Sequence, residues 1–426
     1  MPPQKRPRRR RLALALGLTG FLCLVITGML FASLSLWPGF GAQAADWLRQ
    51  AFGDEAVARL ETVVFQAQDA LRNQGYRLRG EQPAAPWTAI PMPEPSSMAR
   101  FSPTLRSSPQ PVASPAGYPT QAHLATASTQ TASPVASPTL QTSPTPGVWT
   151  LPQVAPLGKL SGEGQWSSYI QDPTGRVVAY RTYLQPDPKR PFTVAAVVAM
   201  DLANTRLHFL LGSQEPASPV EIYRSGRIPV EDLKPGVLLA VFNGGFKANQ
   251  GHFGVMVDRV TVIPPRPGLG VIAIYAGGQV RMGAWGTEIS STPDMLAWRQ
   301  NGPLIVQDGQ VNPRTAELDP ESWGYAVGGS TATWRSGIGL SADGRTLLYA
   351  AAPDIPLPAL ASALRAAGAD QALQMDINDY WVHFDAIQAT ETGLLALGLL
   401  DEMQRLDDQR YLKSSIRDFF YLMAAP

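Results

Sequence analysis

Cysteine is almost absent from this chain: one residue, Cys23, in 426. It lies in an apolar run, so the remainder of the protein can have neither a disulfide nor a thiol nucleophile. There is no Cys/His cluster with zinc-ligand spacing, no G-x-x-x-x-G-K-[ST] phosphate loop and no G-x-S-x-G elbow. Gly268-Leu269-Gly270 followed by Ala273 imitates part of a dinucleotide fingerprint, but it follows Pro264-Pro265 and runs into a strand pattern instead of a helix. Net charge is also small. Of 35 basic residues, Lys5, Arg6, Arg8, Arg9, Arg10 and Arg11 crowd the N-terminus, which leaves 29 against 34 acidic residues in the rest. That balance argues against a nucleic-acid partner.

What is present divides the chain into unequal parts. Residues 1–11 form a basic tail, and Leu12 to Trp37 carry no formal charge, long enough for a membrane-spanning helix of about 20 residues. Only Arg49 falls shortly after the run, so the positive-inside rule places the N-terminus in the cytoplasm and the bulk of the chain outside. The alternative is a signal peptide cleaved after Ala42-Gln43-Ala44; both readings export the C-terminal part. Over residues 45–73, Val57, Leu60, Val64, Ala67 and Leu71 alternate spacings of three and four, which predicts an amphipathic juxtamembrane helix. A parallel homodimer seam is the other use of such a face, although two heptads are short for a coiled coil. Residues 81–157 are dominated by Pro, Ser, Thr, Ala and Gln and read as a disordered linker, an extended tether for the outer domain.

From residue 158 to 426 short β-rich runs alternate with turn signals. Strands are expected over Arg176 to Leu184, Thr193 to Leu202, Leu207 to Leu211, Val237 to Phe242, Val271 to Tyr275, Gln279 to Gly283, Ile338 to Ser341, Leu347 to Ala351 and Ala372 to Met375. Helices are expected over Leu357 to Ala367 and Gly393 to Leu406. The expected class is α+β, a mixed or antiparallel sheet core with flanking helices. Asp308-Gly309 and Asp343-Gly344 read as hairpin turns.

Two strand ends carry the chemistry. Asn243-Gly244-Gly245-Phe246 follows the first apolar run, and Met375-Asp376-Ile377-Asn378-Asp379 follows the last expected strand. In chain order, Asn243-Gly244-Gly245-Phe246, Gly251-His252-Phe253-Gly254-Val255, Pro303 to Gly309, Arg335-Ser336-Gly337-Ile338-Gly339, Asp343 to Leu347 and finally a helix followed by Gln374-Met375-Asp376 resemble the phosphodiester glycosidase family over roughly residues 195–385. That family includes the lysosomal enzyme that removes N-acetylglucosamine from a phosphodiester, and many exported bacterial proteins. The resemblance implies a hydrolase acting on sugar-1-phosphodiesters, here of envelope glycans or exopolysaccharide. One departure stands out. The family pattern follows its Asp with glycines, whereas Asp376 is followed by Ile377, Asn378, Asp379, Tyr380 and Trp381.

The resemblance implies roles that suit the residue types. Arg335 could grip a phosphate bidentately, and Asp376 could act as general base or nucleophile. Asn243 could orient substrate or serve as an Asx turn, and His252 is a candidate general acid, with His383 a weaker one. Gly244, Gly245, Phe246, Gly254, Asn378, Asp379 and Trp381 complete the expected substrate contacts. Trp285, Trp323, Trp334 and Tyr380 offer further aromatic faces for a sugar ring or for the core. No cofactor is expected, though Asp376, Asn378 and Asp379 could supply oxygen ligands to Ca²⁺ or Mg²⁺. A glycan-binding or envelope-assembly module without catalysis is the alternative to an enzyme.

Overall fold

The computed structural model describes residues 70–71, 73–76, 78–80, 83–87, 149–317, 323, 332–404 and 409–425. The run 12–37 and most of the 45–73 helix lie outside them. Among the described residues no helix is long and apolar enough to cross a membrane.

Among the described residues eighteen strands build three sheets. The largest contains β1 (Ser167–Gln171), β2 (Val177–Leu184), β3 (Ala195–Asp201), β11 (Leu304–Gln307), β12 (Gln310–Val311), β13 (Ala332–Leu340), β14 (Thr346–Pro356) and β15 (Gln371–Gln374), in the order β1-β2-β3-β14-β13-β15-β11-β12. A second contains β6 (Val255–Val257), β7 (Val260–Ile263), β8 (Gly270–Tyr275), β9 (Val280–Ala284) and β10 (Met295–Gln300). The third contains β4 (Thr205–Leu210), β5 (Leu238–Asn243), β16 (Phe384–Thr390), β17 (Gly393–Gly398) and β18 (Phe419–Ala424). Every pairing of these strands is antiparallel. The domain is therefore β-rich rather than a balanced α+β fold.

The sequence dictates which sheets are covered on both sides. β3 reads Ala-Ala-Val-Val-Ala-Met-Asp and is buried throughout, as a strand packed on two faces must be. Ala196, Val198 and Met200 point into a core shared by all three sheets, while Ala195, Val197 and Ala199 face α1 (Leu357–Ala366). α1 starts at a proline-rich N-terminus, and its chain leaves through Gly368 at φ 106°. The Arg-Ser-Gly-Ile-Gly motif lies on β13 beneath this helix. A Cβ on Gly337 would stand 2.8 Å from Leu364 Cδ1 and 3.0 Å from the Leu373 carbonyl, so that glycine is required by close helix-on-sheet packing. Asp308, at φ 49°, and Gly309, at φ 69°, form the two-residue β11–β12 turn, and Asp343-Gly344 turns β13 into β14.

One expected helix is corrected. Residues 393–398 form β17, paired with β16 from Thr390↔Gly393 to Asp385↔Gly398, and among the described residues of that stretch only Asp401–Gln404 is helical. The leucine spacing fits a helix, but Gly393, at φ 134°, closes a hairpin and offers the run a strand partner. Residues 149–157, inside the stretch expected to be linker, lie along the domain, with Trp149, Leu151, Val154 and Leu157 packed on the second core.

Candidate functional site

The two motif turns meet where the ends of β5, β10 and β15 and the start of β18 converge, which is also where the three sheets meet. Each turn contributes an apolar peg. Phe246 from the first and Ile377 from the second share a small buried cluster with Phe253. Ile377, standing where the family has glycine, thus fills a packing position and locks the Asp376 loop onto the diglycine loop.

Asp376 is 5% exposed. Its Oδ1 accepts from the backbone amides of Ile377 at 2.8 Å and Asn378 at 3.2 Å, and its Oδ2 accepts from Arg417 Nη2. The same Arg417 nitrogen donates to the Gly245 carbonyl at 2.8 Å, so one guanidinium bridges both turns. Burial pushes the Asp376 carboxyl above the ordinary range, while Arg417 and the two amides pull it back only in part. A base of raised pKa is the kind a hydrolase uses near neutral pH.

Arg417 sits beside a second buried pair. Asp418 Oδ2 accepts from Arg299 Nε at 2.7 Å, with both side chains 1% exposed. Arg299 also donates to the carbonyls of Phe246 and Gln300. This explains the diglycine. A Cβ on Gly244 would lie 2.6 Å from Asp418 Oδ2, and one on Gly245 would lie 3.0 Å from the Arg299 guanidinium carbon. The Gly244 amide donates to the Asp418 carbonyl at 3.0 Å. The glycines therefore admit charged side chains of the protein itself, and the Gly245 amide donates to Asp418 Oδ2 at 3.4 Å. Asn301 adds a clamp, donating to the carbonyls of Gln374 at 2.6 Å and Met375 at 3.3 Å.

Arg335 lies on β13, 6% exposed. The regular β13–β15 register ends with Gly337 opposite Gln374; beyond it the Met375 amide donates to the Ser336 carbonyl at 2.8 Å and the Ser336 amide to the Asp376 carbonyl at 3.0 Å, so Asp376 stands against Ser336, the neighbour of Arg335. Nε donates to the Ile355 carbonyl at 3.1 Å and Nη1 to Gln374 Oε1 at 2.6 Å. No carboxylate among the described residues pairs with it. Burial pulls its pKa down to about 10. Such a guanidinium is still charged at neutral pH and gains most by accepting an anion.

The other expected site residues divide into struts and rim. Asn243 is saturated: Nδ2 donates to Ser336 Oγ and the Gly244 carbonyl, and Oδ1 accepts from Tyr349 Oη at 2.8 Å and the His383 amide at 3.1 Å. All its hydrogen-bonding capacity goes to the scaffold, and burial keeps the Tyr349 phenol protonated to supply its share. His383 is fully buried behind it, with Nε2 2.8 Å from Asp385 Oδ1. Gly254 is a packing glycine under the Trp298 ring. His252 is exposed, at φ 48°, and makes no side-chain hydrogen bond among the described residues. Asn378 Oδ1 and Asp379 Oδ1 both accept from the Tyr380 amide, at 2.9 and 2.8 Å, which gives the loop an Asx-turn geometry. The oxygens suggested for Ca²⁺ or Mg²⁺ are thus turned onto backbone amides and Arg417. Trp381 is half-buried with the Arg417 guanidinium 5.0 Å from its ring centre, and Tyr380, 45% exposed, carries Arg410 at 4.3 Å. Trp285 packs on Trp298, Trp323 accepts from Gln374 Nε2 at 2.7 Å through its carbonyl, and Trp334 lies against the main core.

Sequence reading missed Arg417, Asp418, Arg299 and Asn301. The available signal was Arg417-Asp418 placed directly before Phe419-Phe420-Tyr421-Leu422, a charged pair entering an apolar strand-like run. The general-base role expected for Asp376 has a pH dependence that tests it. The acid limb of kcat/KM should lie above the ordinary carboxylate range, because the carboxyl must ionise to act and burial holds its pKa up. Arg417→Ala removes the cation that opposes that shift, so the limb should move to still higher pH, whereas Arg417→Lys should move it less.

Comparison with known proteins bears out the resemblance read from the motifs. The family model described as phosphodiester glycosidase matches residues 236–376, a segment that holds all six motifs and ends at Asp376. Arg417 and Asp418 lie beyond it. No curated protein matches the chain. Among solved structures, the catalytic domain of zebrafish N-acetylglucosamine-1-phosphodiester alpha-N-acetylglucosaminidase, auto-inhibited by its pro-peptide, matches at 11% identity and TM-score 0.35, over 64% of this chain and 87% of that one. A hypothetical protein from Synechocystis matches at 11% identity and TM-score 0.28, over 61% of this chain and 62% of that one. An exported protein from Burkholderia pseudomallei K96243 matches at 11% identity and TM-score 0.25, over 61% and 86%.

Proposed function

We propose that the chain is a membrane-anchored, extracytoplasmic hydrolase of the phosphodiester glycosidase type, acting on sugar-1-phosphodiesters of envelope glycans or exopolysaccharide. The observation that carries this reading is the presence, inside the family-matched segment, of a buried guanidinium that no described carboxylate pairs with, Arg335, and a buried carboxyl of raised pKa, Asp376. Arg335 receives the phosphodiester and Asp376 faces the anomeric carbon or the attacking water. Hydrolysis adds the water oxygen to the anomeric carbon and returns a proton to the leaving phosphate oxygen. Tyr380 and Trp381 supply the apolar face on which a sugar ring can rest. The basic tail and the uncharged run 12–37 support anchoring with the domain outside the cell.

One observation favours a second reading, a glycan-binding module without turnover. Both Asp376 oxygens are already engaged by donors, and the glycines of the family loop are replaced. Incubating the purified protein with a sugar-1-phosphodiester separates the two. Equimolar release of free sugar and phosphomonoester is the expected result. Saturable binding with neither product would establish the binding module instead.

A further inference from the structure

The stretch before the Pro/Ser/Thr-rich segment returns to the domain. Residues 83–87 lie against β2: the Trp87 ring meets Tyr183 edge-on at 5.6 Å, and the Arg181 guanidinium is sandwiched between Trp87, at 4.3 Å, and Tyr169, at 4.5 Å. Slightly upstream, Tyr76 packs on Phe192 at 5.6 Å. On the far side of the segment, the Trp149 ring packs tilted against Tyr180 at 5.3 Å and its Nε1 donates to Thr346 Oγ1 at 3.0 Å. Tyr180 and Arg181 are neighbours on one strand, so they point to opposite faces of the sheet.

We infer that the two Trp residues form a clasp, with Trp87 and Trp149 gripping opposite faces of β2, so that the chain is fastened to the domain on both sides of the Pro/Ser/Thr-rich stretch and that stretch does not extend the domain's reach. The magnitudes favour a specific contact. A flexible chain of that length would leave its ends about 40 Å apart, yet both ends sit on adjacent residues of one strand. Arg181 reinforces the point, since burial lowers its pKa and the charged group is held by two aromatic faces, one of which Trp87 provides. The functional consequence is positional. The domain stays fixed to the segment that immediately follows residue 70, and its working distance is set upstream of the Pro/Ser/Thr-rich stretch. This holds whether or not the site is hydrolytic.

Hydrogen exchange on the intact full chain tests the clasp, comparing wild type with Trp87→Ala. The amides of residues 73–87 should exchange at least about tenfold faster in the variant, while protection of β13 and β14 is unchanged, which shows that the domain remains folded. Arg181→Leu should loosen the same amides without exposing Trp149. Free-peptide exchange rates over 73–87 in the wild type, or equal rates in wild type and Trp87→Ala, would overturn the clasp and restore the extended tether.

Discussion

Asp376→Asn should lower kcat/KM on a sugar-1-phosphodiester by about 10²–10⁴-fold, the contribution of a positioned general acid–base group. The substitution is close to isosteric, so Oδ1 can still accept from the amides of Ile377 and Asn378 and the loop keeps its shape. What is lost is the group able to take a proton, together with the Oδ2 acceptor and the charge that meet Arg417. Arg335→Ala acts differently, since it removes the anion grip and should raise KM as well as lower kcat, and Arg335→Lys should recover only part because a point charge cannot reproduce a forked contact. Steady-state kinetics on the three variants checks the assignment. A kcat/KM in Asp376→Asn within about twofold of wild type would remove Asp376 from the chemistry.

The largest stability effect should come from Arg299. This guanidinium is 1% exposed, pairs with Asp418 and satisfies the carbonyls of Phe246 and Gln300. Breaking such a buried pair by removing one partner leaves an uncompensated charge and costs about 3–5 kcal/mol. Arg299→Leu and Asp418→Ala should each lower stability by that amount in denaturant unfolding. The double variant should cost less than the two together, because both remove the same pair. A loss below about 1 kcal/mol for Arg299→Leu would mean that the loops are held together by the Phe246–Phe253–Ile377 contact instead.

The same residues explain what could and could not be read from the chain. Asn243-Gly244-Gly245 and Asp376 were legible as strand-end turns because glycine and short polar residues after an apolar run have few other uses. Asp308-Gly309 was legible for a comparable reason, since positive φ restricts the choice of residue. Their roles were less accessible. Asn243 has the same composition whether it meets a substrate or a scaffold, and only Tyr349, 106 residues away, and His383, 140 away, decide for the scaffold. The diglycine looked like an amide cradle for a ligand, but what comes close is Asp418, 173 residues from Gly245.

Arg417 was hidden by the same distance effect. A lone Arg-Asp near the end of a chain is usually a solvated surface pair, and it acquires meaning only when β18 pairs with β5 and brings it between the two turns. The Leu394 to Leu400 run shows the opposite failure. Its local pattern was clear but suited two structures, and a non-local partner, β16, selected the strand. Ile377 lies between these cases. The loss of family glycines was visible in sequence, while its consequence, a peg set against Phe246 and Phe253, required the fold.

The account rests on Arg335 and Asp376 converging on one ligand, and a crystal structure of the protein soaked with a sugar 1-phosphate measures that directly. The phosphate should lie within hydrogen-bonding distance of the Arg335 guanidinium, with the anomeric carbon facing Asp376 and the ring against Trp381 or Tyr380. A sugar phosphate bound elsewhere, with Arg335 and Asp376 untouched, would contradict it.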